Sequence, residues 1–148
     1  MLYFAYGANM DPRHMADCCP GAKRIGQAAL PDHEFAIAAQ GFGRAAPAPG
    51  RDLPGVLWEL TDGDVVALDS FEGIAEGMYR QETREVRGTD GTLRWAMLYQ
   101  PTDPAPGRPR PGYLERIIVV AESLSFPAAY LATLRRLAGS PAPRAGTP

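Results

Sequence analysis

The sequence predicts an α+β fold built as a single domain. The chain has 148 residues, of which 45% are hydrophobic and 22% charged, a balance that suits one globular core. Its strand patterns occur as antiparallel hairpins, and strands and helices do not alternate regularly, which favours α+β over a doubly wound sheet. We expect about six strands and about four helices.

The first elements are a strand, a glycine turn and a short helix. Leu2–Tyr6 has the apolar character of a short buried strand that ends at Gly7. Asp11 is suited to cap a helix, with Pro12 at its first position, and this helix should run to about Cys18.

Three strands and a loop are expected next. Lys23–Leu30 and Glu34–Ala39 are predicted as two strands joined around Pro31-Asp32-His33. Gln40–Arg51 is rich in Gly, Ala and Pro and is predicted as a loop, followed by a strand over Leu53–Leu60.

The middle of the chain predicts a capped helix and a hairpin. Thr61 and Asp64 have the spacing of a capping box, which predicts a helix over Asp62–Glu72 that Gly73 ends. Two strands should follow, joined by the turn sequence Thr89-Asp90-Gly91. Their predicted bounds are Tyr79–Val86 and Leu93–Tyr99.

The remainder should hold a stiff loop, two helices and a tail. Pro101–Gly112 is too rich in proline for regular structure, and a loop of this length is often functional. Tyr113–Ser123 has helical periodicity, and a second helix should run to about Ala138. We therefore expect one domain over residues 1–138 and a disordered tail over 139–148.

Charge and cysteine content exclude several classes of protein. The net charge is −2, which argues against a nucleic-acid surface and against a basic membrane patch. Cys18 and Cys19 are adjacent, so a relaxed disulfide between them is not expected, and no spaced set of Cys and His suggests a metal. Free thiols and the lack of a leader or spanning segment predict a cytoplasmic protein.

The loop after the first strand is one candidate binding element. A strand that runs through Tyr6 into Gly7-Ala8-Asn9 and then a helix start can present backbone N–H groups in one direction. Such an arrangement binds carboxylates or an oxyanion. The alternative is an ordinary turn between strand and helix, and spacing alone does not decide between them.

Glu72 is the candidate catalytic residue. It follows Val65 and Leu68 on the apolar stripe of its helix, so its carboxylate should face the core. Burial raises a carboxyl pKa, and a glutamate raised in this way can act as a general acid or base near neutral pH. The alternative is a helix-end side chain bent into solvent. Glu76 is a weaker candidate because it lies beyond the helix end.

Other side chains are weaker candidates. Tyr79 and Tyr113 could place phenols over a pocket, although core packing would explain them equally well. Arg44 and Arg80 could pair with a substrate carboxylate, but most arginines lie at the surface. No role is predicted for the two histidines, which are expected in surface or loop positions: His14 and His33.

Four segments in order resemble the gamma-glutamylcyclotransferase-like (AIG2-like) family. The N-terminal segment is similar to the family signature Tyr-Phe-Ala-Tyr-Gly-Ser-Asn, and another is similar to the segment that carries the family's catalytic glutamate. The segments are Tyr3-Phe4-Ala5-Tyr6-Gly7-Ala8-Asn9-Met10, Gly55-Val56-Leu57-Trp58, Leu68-Asp69-Ser70-Phe71-Glu72-Gly73 with Gly77-Met78-Tyr79-Arg80, and Pro111-Gly112-Tyr113-Leu114-Glu115-Arg116-Ile117.

The resemblance implies a small mixed β-barrel with flanking helices and a defined reaction. In that reaction the α-amine of a gamma-glutamyl group attacks its own γ-carbonyl, which gives 5-oxoproline and a free amine without cofactor or metal. Glu72 would be the catalytic residue. The substrate-binding residues would be Tyr6, Gly7, Ala8, Asn9, Tyr79 and Tyr113.

One departure from the family pattern leaves other functions open. Ala8 occupies the usual serine position, so the chain could also be a non-catalytic module that binds a small molecule. A third possibility is the removal of a gamma-glutamyl protecting group during a biosynthesis. Asn9 stands where the glutathione-specific branch carries a hydrophobic residue, which ranks that branch lower. The expected partner is a small gamma-glutamyl compound, with the chain as a monomer or homodimer.

Overall fold

The computed structural model describes residues 1–139, and within them five strands close into a barrel. β1 lies between β3, to which it is antiparallel, and β5, to which it is parallel, and the order around the barrel is β1-β3-β2-β4-β5. The α+β class and the small mixed barrel are confirmed. The strands are β1 Leu2–Ala5, β2 Lys23–Ile37, β3 Gly43–Glu59, β4 Tyr79–Gly88 and β5 Leu93–Pro101.

The helices lie where the sequence predicts them. A single 3-10 turn, Ala8–Met10, joins β1 to the first of them. Both predicted caps are present: Asp11 accepts from the N–H of Arg13 at 2.9 Å, and Thr61 and Asp64 form a complete capping box. The helices are α1 Pro12–Cys18, α2 Asp62–Phe71, α3 Tyr113–Ser123 and α4 Ala128–Gly139.

β2 is one long strand, so the prediction of two strands joined at Pro31-Asp32-His33 is wrong. The register with β3 shifts between Pro31 and His33, which is a β-bulge. Asp32 adopts a φ of 61°, a conformation that aspartate tolerates better than most residues, and its Oδ1 accepts from the N–H of Gly50 at 2.8 Å. These residues have turn-forming chemistry, but here they bend a strand without ending it.

The predicted loop over Gln40–Arg51 is also wrong, because β3 begins at Gly43 and continues through the segment. A Cβ on Gly43 would lie 2.6 Å from the ring of Phe35 on the neighbouring strand. Gly43 therefore makes room for the large side chain of Phe35 on β2. Their composition resembles that of a loop, although their backbone is paired from Gly43 with Ile37 to Pro47 with His33.

The core fills the barrel and the gap between the barrel and α3. Ile117 and Ala121 face inward from α3, and Leu134 faces inward from α4. The β4–β5 hairpin is confirmed, as is the irregular segment before α3, which an isolated bridge between Pro106 and Ala38 attaches to the barrel. No helix in the described range has the length and apolar character to cross a bilayer. The predicted tail over 139–148 starts one residue too early, because Gly139 is the last residue of α4, and residues 140–148 lie outside the described range.

Candidate active site

One cavity of about 340 Å³ lies where the end of β1, the end of α2 and the start of α3 meet. It gathers residues from distant parts of the sequence, and it contains both the candidate base and the candidate anion-binding loop. All seven predicted site residues line it: Tyr6, Gly7, Ala8, Asn9, Glu72, Tyr79 and Tyr113.

Glu72 is positioned in the cavity lining by the way α2 ends. The helix finishes at Phe71, and Glu72 is the residue that follows, with its backbone N–H bonded to the oxygen of Leu68 at 2.8 Å. Gly73 then adopts a φ of +67°, which glycine accepts without strain, and turns the chain away. Leu68 is completely buried one turn earlier, so the anchored helix fixes the direction of the Glu72 side chain.

Desolvation changes the acidity of Glu72. Its side chain is largely withdrawn from water, and this burial raises its pKa from 4.5 to about 7. A hydrogen bond from Asn9 acts in the opposite direction, because it stabilises the charged form. The two effects leave a carboxyl group that can exist in both protonation states near neutral pH.

Asn9 orients the Glu72 carboxylate. Its Nδ2 donates to Glu72 Oε1 at 3.1 Å and to the hydroxyl oxygen of Tyr3 at 2.7 Å, and only 4% of the residue is exposed. The sequence predicts Asn9 as a substrate-binding residue, but both of these bonds are to protein groups. Its side chain therefore positions the carboxylate, and the role of Tyr3 in this network was not predicted.

The turn between β1 and α1 carries the available backbone donors. Among the described residues no acceptor is present for the N–H groups of Gly7, Ala8 and Asn9, whereas those of Met10 and Asp11 bond to the turn itself. Unpaired N–H groups at the start of a helical turn attract anions. A Cβ on Gly7 would lie 3.1 Å from the hydroxyl oxygen of Tyr113, so glycine lets the tyrosine approach this loop.

The tyrosines hold the barrel and the cavity wall together. Tyr113 accepts from the N–H of Gly43 at 2.9 Å, and Tyr79 donates to the oxygen of Gly43 at 3.4 Å. Tyr6 donates to the backbone oxygen of Tyr99 at 2.7 Å. The hydroxyl groups of these three predicted substrate-binding residues are therefore bonded to the protein, and all three residues line the cavity.

The proline-rich segment supports one side of the cavity. Arg110 Nε donates to the oxygen of Gln40 at 2.9 Å, and its guanidinium lies 4.9 Å from the ring centre of Phe42. Phe42 in turn packs edge-on against Tyr113 at 5.3 Å. The segment thus fixes the aromatic wall beside the predicted site.

The charged residues that the sequence offers as weaker candidates lie outside this cavity. Glu76 is exposed, and Arg80 pairs with Glu82 on the barrel surface. Arg44 also does not line the cavity. The expectation that both histidines lie in surface or loop positions is wrong: His33 is a buried residue of β2. His14 lies on α1, and the centre of its ring is 4.8 Å from the centre of the Phe71 ring.

The sequence did not reveal the cation of the site. Arg116 is the basic residue among the described side chains that line the cavity, and it lies one helical turn after Tyr113 on α3. That spacing places two side chains on one helix face and could have indicated it. Within residues 1–139 no cluster of three or more His, Cys, Asp or Glu could hold a metal.

Comparison with known proteins agrees with the fold and the motifs. The model of the AIG2-like family matches residues 52–134. The chain is 27% identical to a gamma-glutamylcyclotransferase of Bos taurus over 87% of its own length and 74% of that protein. It is 25% identical to the Homo sapiens gamma-glutamylcyclotransferase over 92% of its length and 78% of that protein.

A solved structure extends this likeness to three dimensions. A structure titled gamma-glutamyl cyclotransferase superimposes with a TM-score of 0.83 at 26% identity, covering 91% of this chain and 86% of that one. The family model spans more than half of the present sequence. The chain therefore belongs to the AIG2-like family and has the gamma-glutamylcyclotransferase fold.

Proposed function

We propose that this protein is an enzyme that cyclises gamma-glutamyl compounds to 5-oxoproline and releases an amine or amino acid. The observation that carries the proposal is the pairing of Glu72, with its pKa of about 7, and the unpaired N–H groups of Gly7, Ala8 and Asn9 around one cavity. The reaction needs both a proton carrier and a site for an anion.

The first step is removal of a proton from the substrate. The α-ammonium group cannot attack until it loses a proton, and the Glu72 carboxylate is the group in the cavity that can accept it. The free amine then attacks the γ-carbonyl carbon of the same molecule. Because the nucleophile is tethered to the carbonyl, the protein needs only to hold the substrate in a bent conformation that brings the amine next to the carbonyl carbon.

The second step is collapse of the tetrahedral intermediate. Backbone N–H groups of the Gly7–Asn9 turn hold the α-carboxylate of the gamma-glutamyl group during this step, which keeps the γ-carbon beside Glu72. Glu72 donates its proton to the departing nitrogen as the carbon–nitrogen bond breaks. It then accepts the second proton of the attacking nitrogen and passes it to the released amine. The products are 5-oxoproline, which has an uncharged lactam nitrogen and keeps its carboxylate, and the protonated amine, and water is not consumed.

A pKa of about 7 suits this double role. A carboxyl group at 4.5 would be a weak base and would rarely be protonated at neutral pH, whereas one near 7 exchanges protons in both directions. The Asn9 hydrogen bond keeps the carboxylate pointed at one place during both transfers.

Ala8 supports a second candidate, a module that binds gamma-glutamyl compounds without turning them over. The residue offers only a methyl group where the related sequences usually have a hydroxyl, so a side-chain contact to substrate would be absent. In this case 5-oxoproline would bind but would not be produced. Removal of a gamma-glutamyl protecting group in a biosynthesis uses the same chemistry and differs only in the leaving group.

The deciding experiment measures 5-oxoproline release from gamma-glutamyl amino acids, gamma-glutamyl amines and glutathione. The wild-type protein should release it from at least one compound, and Glu72→Gln should lower the rate by about a thousandfold or more. Glu76→Gln is the matched control, because Glu76 is exposed in the same segment and does not line the cavity. Full activity in Glu72→Gln would refute the mechanism.

A further inference from the structure

A second cavity of about 250 Å³ adjoins the active-site cavity. The two share five lining residues: Gly7, Ala8, Phe71, Tyr113 and Arg116. Glu72 and Asn9 line only the first cavity, so the second one lies beyond the reacting atoms. Because the two cavities share these residues, the second one is close enough to receive the leaving group of a substrate whose γ-carbonyl is beside Glu72.

The second cavity combines an apolar wall with a cation. Phe71, Ile117 and Val120 provide apolar surface, and 55% of Phe71 is exposed. Arg116 borders both cavities. Two further polar residues line it. Asp11 uses its carboxylate to cap α1 through the N–H of Arg13, and the ring of His14 packs against that of Phe71.

Arg116 has no anionic partner among residues 1–139. Within the described part of the chain its guanidinium forms no ion pair and no hydrogen bond, although other arginines do, such as Arg80 with Glu82 and Arg87 with Asp52. A guanidinium presents planar, paired donors that match a carboxylate. An unpaired one at the junction of two cavities is therefore suited to a carboxylate on the substrate.

We propose that the second cavity is the subsite for the leaving group, and that Arg116 determines specificity by binding the carboxylate of a released amino acid with an apolar side chain. That side chain would pack on Phe71, Ile117 and Val120. The inference rests on the proposed function, and it names the leaving group as an amino acid in preference to a simple amine. The carboxylate of the gamma-glutamyl group itself is assigned to the unpaired N–H groups of the Gly7–Asn9 turn.

The test uses two substrates that differ by one carboxylate, gamma-glutamylphenylalanine and gamma-glutamylphenethylamine. The wild-type protein should have a kcat/KM about tenfold higher for the amino acid, the effect of one charge-assisted hydrogen bond at a partly exposed site. Arg116→Gln should remove this preference by lowering kcat/KM for gamma-glutamylphenylalanine alone, and Arg116→Lys should restore part of it. Arg13→Gln removes the same charge from an exposed position of α1 outside both cavities and should change neither value.

Calorimetric binding of both compounds to Glu72→Gln protein separates the two proposals, since it does not need turnover. Tighter binding of the compound with the extra carboxylate, lost when Arg116→Gln is added, supports the subsite. If the wild-type protein releases no 5-oxoproline, that result overturns only the proposed function. Equal losses for both substrates in Arg116→Gln would assign Arg116 to the gamma-glutamyl carboxylate and overturn the subsite. No preference in the wild-type protein would also overturn it.

Discussion

The raised pKa of Glu72 makes a prediction about stability that does not depend on any substrate. The carboxyl group has an ordinary pKa of 4.5, which we take for the unfolded chain, and a pKa of about 7 in the folded protein. Between these values the folded protein retains a proton that the unfolded chain releases. The stabilising contribution of this proton to the free energy of unfolding is therefore fully present below pH 4.5, falls as the pH rises to about 7, and stays low at higher pH.

The size of this loss follows from the difference between the two pKa values. At about 1.4 kcal/mol for each unit of pKa, the contribution is about 3 kcal/mol. Glu72→Gln keeps the shape of the side chain without the titration. The free energy of unfolding of the variant minus that of the wild-type protein should therefore increase by about 3 kcal/mol as the pH rises from about 4 to about 8.

Urea unfolding of both proteins across this pH range measures the effect. All other titrating groups are common to the two proteins, so they cancel in the difference between the unfolding free energies. Glu76→Gln serves as the surface control and should differ from wild type by less than about 0.5 kcal/mol throughout. If the difference between Glu72→Gln and wild type were constant over this range, Glu72 would not be desolvated and the assignment of the base would lose its physical reason.

Three further substitutions test the surroundings of Glu72. Asn9→Leu removes the hydrogen bond that lowers the pKa of Glu72, so the acid limb of the pH–rate profile should move to higher pH; an unmoved limb would show that the bond does not act on catalysis. Tyr113→Phe leaves the N–H of Gly43 without its acceptor and should cost about 1–3 kcal/mol in urea unfolding, whereas no loss would mean that water replaces the phenol. Gly43→Ala would place a Cβ 2.6 Å from the buried Phe35 ring and should lower stability by about 1–3 kcal/mol. Gly63→Ala is the control for the last change, because its nearest neighbour would lie 3.9 Å away, and an equal loss in both would contradict the argument from crowding.

The parts of the fold that follow from local chemistry could be predicted from the sequence. The caps at Asp11 and Thr61 and the stop at Gly73 depend on neighbouring residues, and each helix lies within a residue or two of its predicted bounds. The long β2–β3 hairpin could not be predicted in the same way. Its Gly43 and Asp32 are typical of loops, and only the Phe35 ring and the bulge, which are features of pairing between strands, explain them.

In the candidate site, too, features that depend on local sequence could be predicted and features that depend on contacts between distant segments could not. Glu72 could be found because its place on the apolar stripe of a helix conflicts with its charge, and such conflicts indicate function. The hydrogen bonds by which the Asn9 amide positions Glu72 could not be predicted, because Tyr3 and Glu72 approach it only in the folded protein. Arg116 was missed because a helix-surface arginine is ordinary in sequence, and its lack of a partner is visible only in three dimensions.

The central claim is that, in this cavity, the α-amine of a gamma-glutamyl group attacks the γ-carbonyl of the same group and Glu72 transfers the protons. The most direct measurement is product analysis by mass spectrometry after incubation of gamma-glutamylphenylalanine in oxygen-18-labelled water, with wild-type and Glu72→Gln proteins side by side. The account predicts unlabelled 5-oxoproline and phenylalanine from the wild-type protein, with release abolished in Glu72→Gln. Labelled glutamate would show hydrolysis in place of cyclisation, and 5-oxoproline release that survives in Glu72→Gln would show that Glu72 is not the proton carrier.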